Sequence, residues 1–112
     1  MNAAYRILGI NDDVTTCECC GKSNLKKTVV LGSDSGEVHF GVDCAARAML
    51  GNNKSGSRKT IDTQARAVAL ARKWLAAGHA AEIVAKGIWN RFGYLTEAKG
   101  GKVLISNFAE VA

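Results

Sequence analysis

The chain has 112 residues, 47% of them apolar, with four Cys and no Pro, so it builds one compact core or two very small ones, and a unit below roughly 50 residues needs a metal or a disulfide to hold it. No basic segment leads into an apolar stretch at the N-terminus, and the most apolar tract, "AVALARKWLAAGHAAEIVA", is broken by Arg72 and Lys73, which argues against export or membrane insertion and for a cytoplasmic chain. The net charge of +5 is unevenly divided: residues 1–51 carry five Lys/Arg against six Asp/Glu, and residues 52–112 carry ten against four.

In chain order, "AYRILGI" is a short apolar run with strand character. "LKKTVVL" and "EVHF" flank "GSDSG", whose small and polar residues suit a hairpin loop. "DCAARAML" opens on Asp43, suited to an N-cap, and continues in good helix formers to Gly51. "GNNKSGSRKT" contains no large apolar side chain and reads as a flexible basic linker over residues 52–60. Beyond it, Ala67, Leu70, Ala71, Trp74 and Leu75 recur at the spacing of one helical face, and Gly78 stands where a C′ glycine ends such a helix. A second helix is expected from about Ala80 to Arg91, with Ile83, Val84, Ile88 and Trp89 as its apolar residues. "YLTEAKGGKVLISNF" then alternates around Gly100-Gly101, a hairpin signal. The expectation is an α+β chain: a zinc-binding knuckle, hairpin and helix in residues 1–51, and a basic unit of two helices and a hairpin in 61–112. Both tryptophans are expected in the core.

Three of the four cysteines, Cys17, Cys19 and Cys20, lie within four positions. In a reducing cytosol a C-x-x-C pair points to metal or redox chemistry before a structural disulfide. Cys17 and Cys20 followed by Gly21 form the tight turn that aims two thiolates at one ion, with glycine accepting a positive φ. Cys44 falls in the first turn of the expected helix, where unpaired N–H groups favour a thiolate. His39, at the end of the second hairpin strand and a short link from that helix, is the expected fourth ligand of a closed tetrahedral Zn2+ site. Cys19 and Asp43 are its rivals. A thioredoxin-type dithiol needs a βαβ context that this sequence lacks.

"CECCGKSNLKKTVVL" followed by "VHFGVDCAARAML" resembles the treble-clef-type zinc fingers, and in particular small zinc-finger proteins of bacteriophages and mobile elements with a C-x-x-C-G-K and G-x-x-C-A pattern. The resemblance covers about residues 5–50 and implies a zinc unit and a phage or mobile-element origin, with no particular activity. One Cys, where the common treble clef has two at its helix start, leaves the fourth ligand open.

No enzyme constellation emerges. A zinc deaminase needs H-x-E, and the residue two after His39 is Gly41; His79, the other histidine, lies between two expected helices. "GNNKSGSRKT" contains G-x-x-x-x-G but continues Ser57-Arg58 and follows a helix, so it is not a phosphate loop. The basic residues Arg58, Lys59, Arg66, Lys73, Lys99 and Lys102 suit phosphate neutralisation, and helix, glycine turn, helix and basic hairpin weakly resemble a winged helix-turn-helix over residues 61–108. Two functions are therefore expected: a non-enzymatic, zinc-stabilised nucleic-acid-binding module, or alternatively an anti-defence factor that binds a host protein. Neither uses a membrane or a small-molecule substrate.

Overall fold

The structure, a computed structural model, describes residues 5–111. It is α+β, with three helices and two small antiparallel sheets. In the first sheet β1 (Arg6–Asn11) pairs with β2 (Thr28–Ser33), and β2 with β3 (Gly36–Phe40). Helix α1 (Val42–Leu50) follows and ends on Gly51, whose φ of 81° lets its N–H return to the Arg47 carbonyl at 2.9 Å. Helices α2 (Ser55–Ala76) and α3 (Ala81–Phe92) lead to the second sheet, β4 (Thr96–Lys99), β5 (Lys102–Ile105) and β6 (Ala109–Val111), in that spatial order. No described helix is long and apolar enough to cross a membrane.

β1 joins the two sheets. Ile7 is fully buried, lies opposite Leu31 of β2, and sends its N–H to the Phe108 carbonyl just before β6 at 3.1 Å. The register then slips between Ile7 and Gly9, so Leu8 is the extra residue of a β-bulge. A bulge leaves backbone groups outside the ladder. The Leu8 carbonyl is satisfied by Nε–H of Arg72 from α2, while the Leu8 side chain lies over Gly32, where an added Cβ would approach it to 2.8 Å.

One apolar cluster runs through both halves of the chain. It includes Leu31 and Phe40 from the first sheet, Ala45 of α1, Ile61 and Val68 of α2, Ile88 of α3, and Val103 and Val111 of the second sheet. Residues 1–51 and 61–112 thus do not have separate cores. The stretch expected to be a flexible linker is largely helical. α2 begins at Ser55, and Asn52 organises its entry by accepting from the Lys54 N–H at 3.1 Å and the Ser57 hydroxyl at 2.7 Å. Periodicity could not place this turn because α2 buries nothing before Ile61.

Three further expectations need correction. Asp43 is not the N-cap of α1; the cap is Gly41, two residues earlier, the helix starts at Val42, and Asp43 sits in its first turn. Trp74 packs against the core beside Gly87, but Trp89 is 52% exposed and Ile83 63% exposed. Neither belongs to the apolar cluster. The hairpin at Gly100-Gly101 has φ of 61° and 80°, as a type I′ turn requires, and it is extended by the three-residue β6, which sequence alternation did not reveal.

The shared core makes a checkable statement. Ile7→Ala should destabilise the chain by about 2–4 kcal/mol, and the urea transition followed by Trp74 and Trp89 fluorescence should shift with the transition followed by circular dichroism. Independent halves would leave the tryptophan transition where it was.

Candidate metal centre

The segment between β1 and β2 is held by short-range bonds. Asn11 Oδ1 accepts from the N–H groups of Asp13 and Val14 at 2.7 and 2.8 Å, turning the chain out of β1. Thr28, fully buried at the start of β2, sends its hydroxyl to the carbonyls of Val14 at 3.1 Å and Asn11 at 3.3 Å. The Leu25 N–H donates to Thr15, and the Cys17 N–H to Lys22. These bonds close a narrow ribbon around Cys17–Gly21. At its tip the Gly21 N–H returns to the Cys17 carbonyl at 2.9 Å, with Gly21 at φ 78°. The ribbon is fixed to the sheet where the Glu18 N–H donates to the His39 carbonyl at 2.9 Å.

That geometry brings three sulfurs together. The Sγ atoms of Cys17, Cys20 and Cys44 all lie within 4.8 Å of one another. Cys17 and Cys44 are buried and Cys20 is exposed. Three thiolates at about 2.3 Å from one tetrahedral ion stand about 3.8 Å apart, so a small contraction suffices to close them on a metal. Cys44 enters from the first turn of α1 and the other two from the ribbon. An ion here therefore ties residues on both sides of the β2–β3 hairpin.

The surroundings of Cys17 are those of a thiolate. Burial pushes its thiol up, but the backbone N–H groups of Gly41, Cys20 and Cys19, with the Cys44 thiol, outweigh that and bring it from 9.0 to about 7. Gly41 also gives the backbone room, since a Cβ there would come within 3.2 Å of Leu25 and 3.8 Å of Cys17. Cys44 behaves oppositely. Burial, then contacts with the thiols of Cys17, Cys20 and Cys19, then the charge of Cys17, hold its proton on far above the usual range. A donor set of three soft sulfurs, one of them with its thiol lowered towards ionisation, suits a thiophilic metal ion.

His39 is not in this group. It lies opposite Val30 in the sheet, one residue before the inward-facing Phe40, and strand alternation turns its ring away from the thiols. Its Nδ1 is 3.2 Å from Glu18 Oε2, and its backbone N–H donates to the same oxygen. Cys19 is exposed and lies outside the group of three sulfurs, although its thiol contributes to holding the proton on Cys44. The sequence pattern places the middle residue of C-x-C-C away from the ion, and the sulfur group of Cys17, Cys20 and Cys44 does not include it. Asp43 accepts from Arg58 Nη1 at 3.5 Å.

The basic residues singled out in the sequence do not form one stripe. Arg58 pairs with Asp43, Arg66 with Asp62 at 3.3 Å, and Lys102 with Glu110 at 3.2 Å. Lys59, Lys73 and Lys99 are exposed and have no ionic partner among the described residues. A different concentration of cations lies beside the thiols. A cleft of about 460 Å³ there is lined by Lys22, Arg47 and Arg58 as well as Cys17, Cys20 and Cys44. It adjoins a second of about 340 Å³ lined by Lys26, Lys27 and Arg58, and Leu25, Val42 and Arg58 border both. These cations come from the ribbon, the start of β2, α1 and α2, so no single window of sequence displays them.

The chain matches no protein-family model, and no curated protein or solved structure is significantly similar to it.

The paired thiols give the metal-free chain a pH dependence. Cys17 has a lowered folded value, so its contribution to stability is complete above its unfolded 9.0 and is lost as pH falls through about 7. Cys44, raised in the folded state, opposes folding only once the solution is alkaline enough to ionise it in the unfolded chain. Urea midpoints of metal-free protein should rise between about pH 7 and 9, and Cys17→Ser should flatten that rise.

Proposed function

We propose that this chain is a non-enzymatic nucleic-acid-binding module stabilised by one Zn2+, held by Cys17, Cys20 and Cys44 with Cys19 as the fourth thiolate. Support for zinc comes from the compact sulfur cluster and from the order of ribbon, hairpin and helix, the order that the resemblance to treble-clef-type zinc fingers implies. Four thiolates leave no open coordination position for a water, which favours a structural ion over a catalytic one. Such a centre persists where thiols stay reduced, so a cytoplasmic setting accompanies this reading. An origin in a phage or mobile element rests on the motif resemblance alone.

The observation that carries the nucleic-acid reading is the pair of adjoining clefts lined by Lys22, Lys26, Lys27, Arg47 and Arg58. Asp43 and Asp62 are the acidic residues in these linings. Lysines and arginines on a concave surface release counterions when they replace them at phosphates, giving affinity without sequence preference. Lys59, one residue after Arg58 on α2, lies outside both linings and is a secondary contact in this reading. Lys73 and Lys99 are secondary contacts in this reading, and Arg66 and Lys102 must first give up their carboxylates.

A second reading, a protein-binding factor directed at a host defence or host enzyme, is favoured by the exposure of Ile83, Trp89 and Leu95. Large exposed apolar side chains, two of which, Trp89 and Leu95, line one groove, are a common mark of protein contact.

Two experiments test the proposal. Titration should give one zinc per chain, with Cys17→Ser, Cys20→Ser and Cys44→Ser each losing tight binding, Cys19→Ser losing roughly tenfold or more in affinity, and His39→Ala much less; a larger loss for His39→Ala than for Cys19→Ser would reverse the fourth-ligand assignment. Fluorescence anisotropy with mixed-sequence duplex DNA, single-stranded DNA and RNA should show log affinity falling linearly with log salt. For the duplex, Lys22→Ala, Lys26→Ala and Arg47→Ala should each lower the slope by about 0.9. Absence of binding at low salt would leave the protein-partner reading.

A further inference from the structure

The second sheet has one open side. β6 is tied through Phe108 to Ile7 of β1, whereas β4 is the outermost strand at the other side. Its hydrogen-bonding pattern follows from the turn. Lys99 and Lys102 flank the two-residue Gly100-Gly101 loop, so Lys99 bonds to β5, as Glu97 does opposite Leu104. The intervening Thr96 and Ala98 therefore turn their N–H and C=O groups outward. Exposed strand edges of this kind pair readily with another strand unless they are blocked.

Charge on β4 is also incomplete. Glu97 and Lys99 are exposed on the same face of the sheet and are in no ion pair among the described residues. The cross-strand neighbour of Lys99 is another cation, Lys102, and Glu110 is already shared between Lys102 and Arg6. Like charges directly opposite one another oppose pairing. Beside the strand, a groove of about 420 Å³ runs between α3 and β4, with Trp89 and Lys86 on one wall and Thr96, Glu97 and Ala98 on the other. Leu95, 69% exposed, lies with Trp89 on the adjoining surface.

We propose that this edge docks a second copy of the chain, β4 pairing antiparallel with β4 about a two-fold axis at Ala98. The Ala98 N–H and C=O groups then exchange bonds with those of their counterpart. The same axis sets Glu97 of each copy opposite Lys99 of the other, at the closer, non-hydrogen-bonded spacing of an antiparallel ladder. Each Lys99 gains the carboxylate that its own sheet lacks. A six-stranded sheet results, with the two α3 helices side by side and the Trp89 rings brought into the seam. A palindromic charge pattern about one central residue is what an isologous contact requires. An unrelated extended peptide would meet it only with a matching sequence.

The test is sedimentation equilibrium of the full chain over a dilution series, using charge reversal. The wild type should reach dimer, and Glu97→Lys and Lys99→Glu should each weaken self-association about tenfold. Glu97→Lys mixed with Lys99→Glu should form a one-to-one heterodimer, because the lysine introduced in one copy then meets the glutamate introduced in the other, while the unchanged Lys99 and Glu97 still face each other. Ala98→Pro removes an outward N–H that β5 does not use and should also give monomer, with the circular dichroism of the native chain. A wild type that stays monomeric at every concentration overturns the proposal. So does a dimer indifferent to both charge reversals, which would place the contact elsewhere.

Discussion

The bulge at Leu8 fixes how this molecule is put together. A regular ladder there would turn the side chains that follow Ile7 to the opposite faces. The extra residue lets Ile7 face the common core while Gly9 and Ile10 resume pairing with Val30 and Val29. It also releases a carbonyl that Arg72 takes up, binding α2 across the strand. With Ile7 N–H committed to Phe108, a single strand serves both sheets and the longest helix. The thiol cluster hangs from the same frame, because Asn11 and Thr28 set the exit from β1 and the entry to β2 on either side of it.

Within that frame the cysteines divide their labour. Cys17 lies in a cage of N–H groups that prefers charge, and Cys44 lies in a dry helix start that refuses it until something positive arrives. An ion bound to both would take the place of the proton that Cys44 otherwise keeps. The nearby lysines and arginines, Lys22, Arg47 and Arg58, temper the negative charge of ionised thiols. The same cations are available to phosphates, so the proposed metal and nucleic-acid roles draw on one electrostatic surface.

What was legible in the sequence was local. Gly21 after C-x-x-C, the Asp34-Ser35 turn, Gly51 and Gly78 as helix ends, and Gly100-Gly101 each declare a backbone conformation within a few residues, and the structure has a turn or a helix end at each. Most apolar positions of α2 also followed from a 3.6-residue period. The direction of His39 did not follow, because it depends on how β3 registers against the ribbon, a relation between residues 18 and 39. The exposure of Trp89 depends on where β4 stops beside α3. The cations beside the thiols come from several segments, all but α2 in the half of the chain that is net acidic, so summing charge along the sequence pointed away from them. The start of α2 was missed because a helix that projects into solvent carries no apolar period.

The contact between Arg6 and Glu110 spans 104 residues of chain, and the seam it accompanies cannot close until Glu110 has left the ribosome. All four thiols lie within the first 44 positions. During synthesis the cluster, its hairpin and the first helix are therefore available long before β6 arrives to cover β1. Loading of an ion early in translation would hold the first sheet in register while its apolar face still waits for α2. In the cell, metal supply would then act on the yield of folded chain as well as on the stability of the finished one.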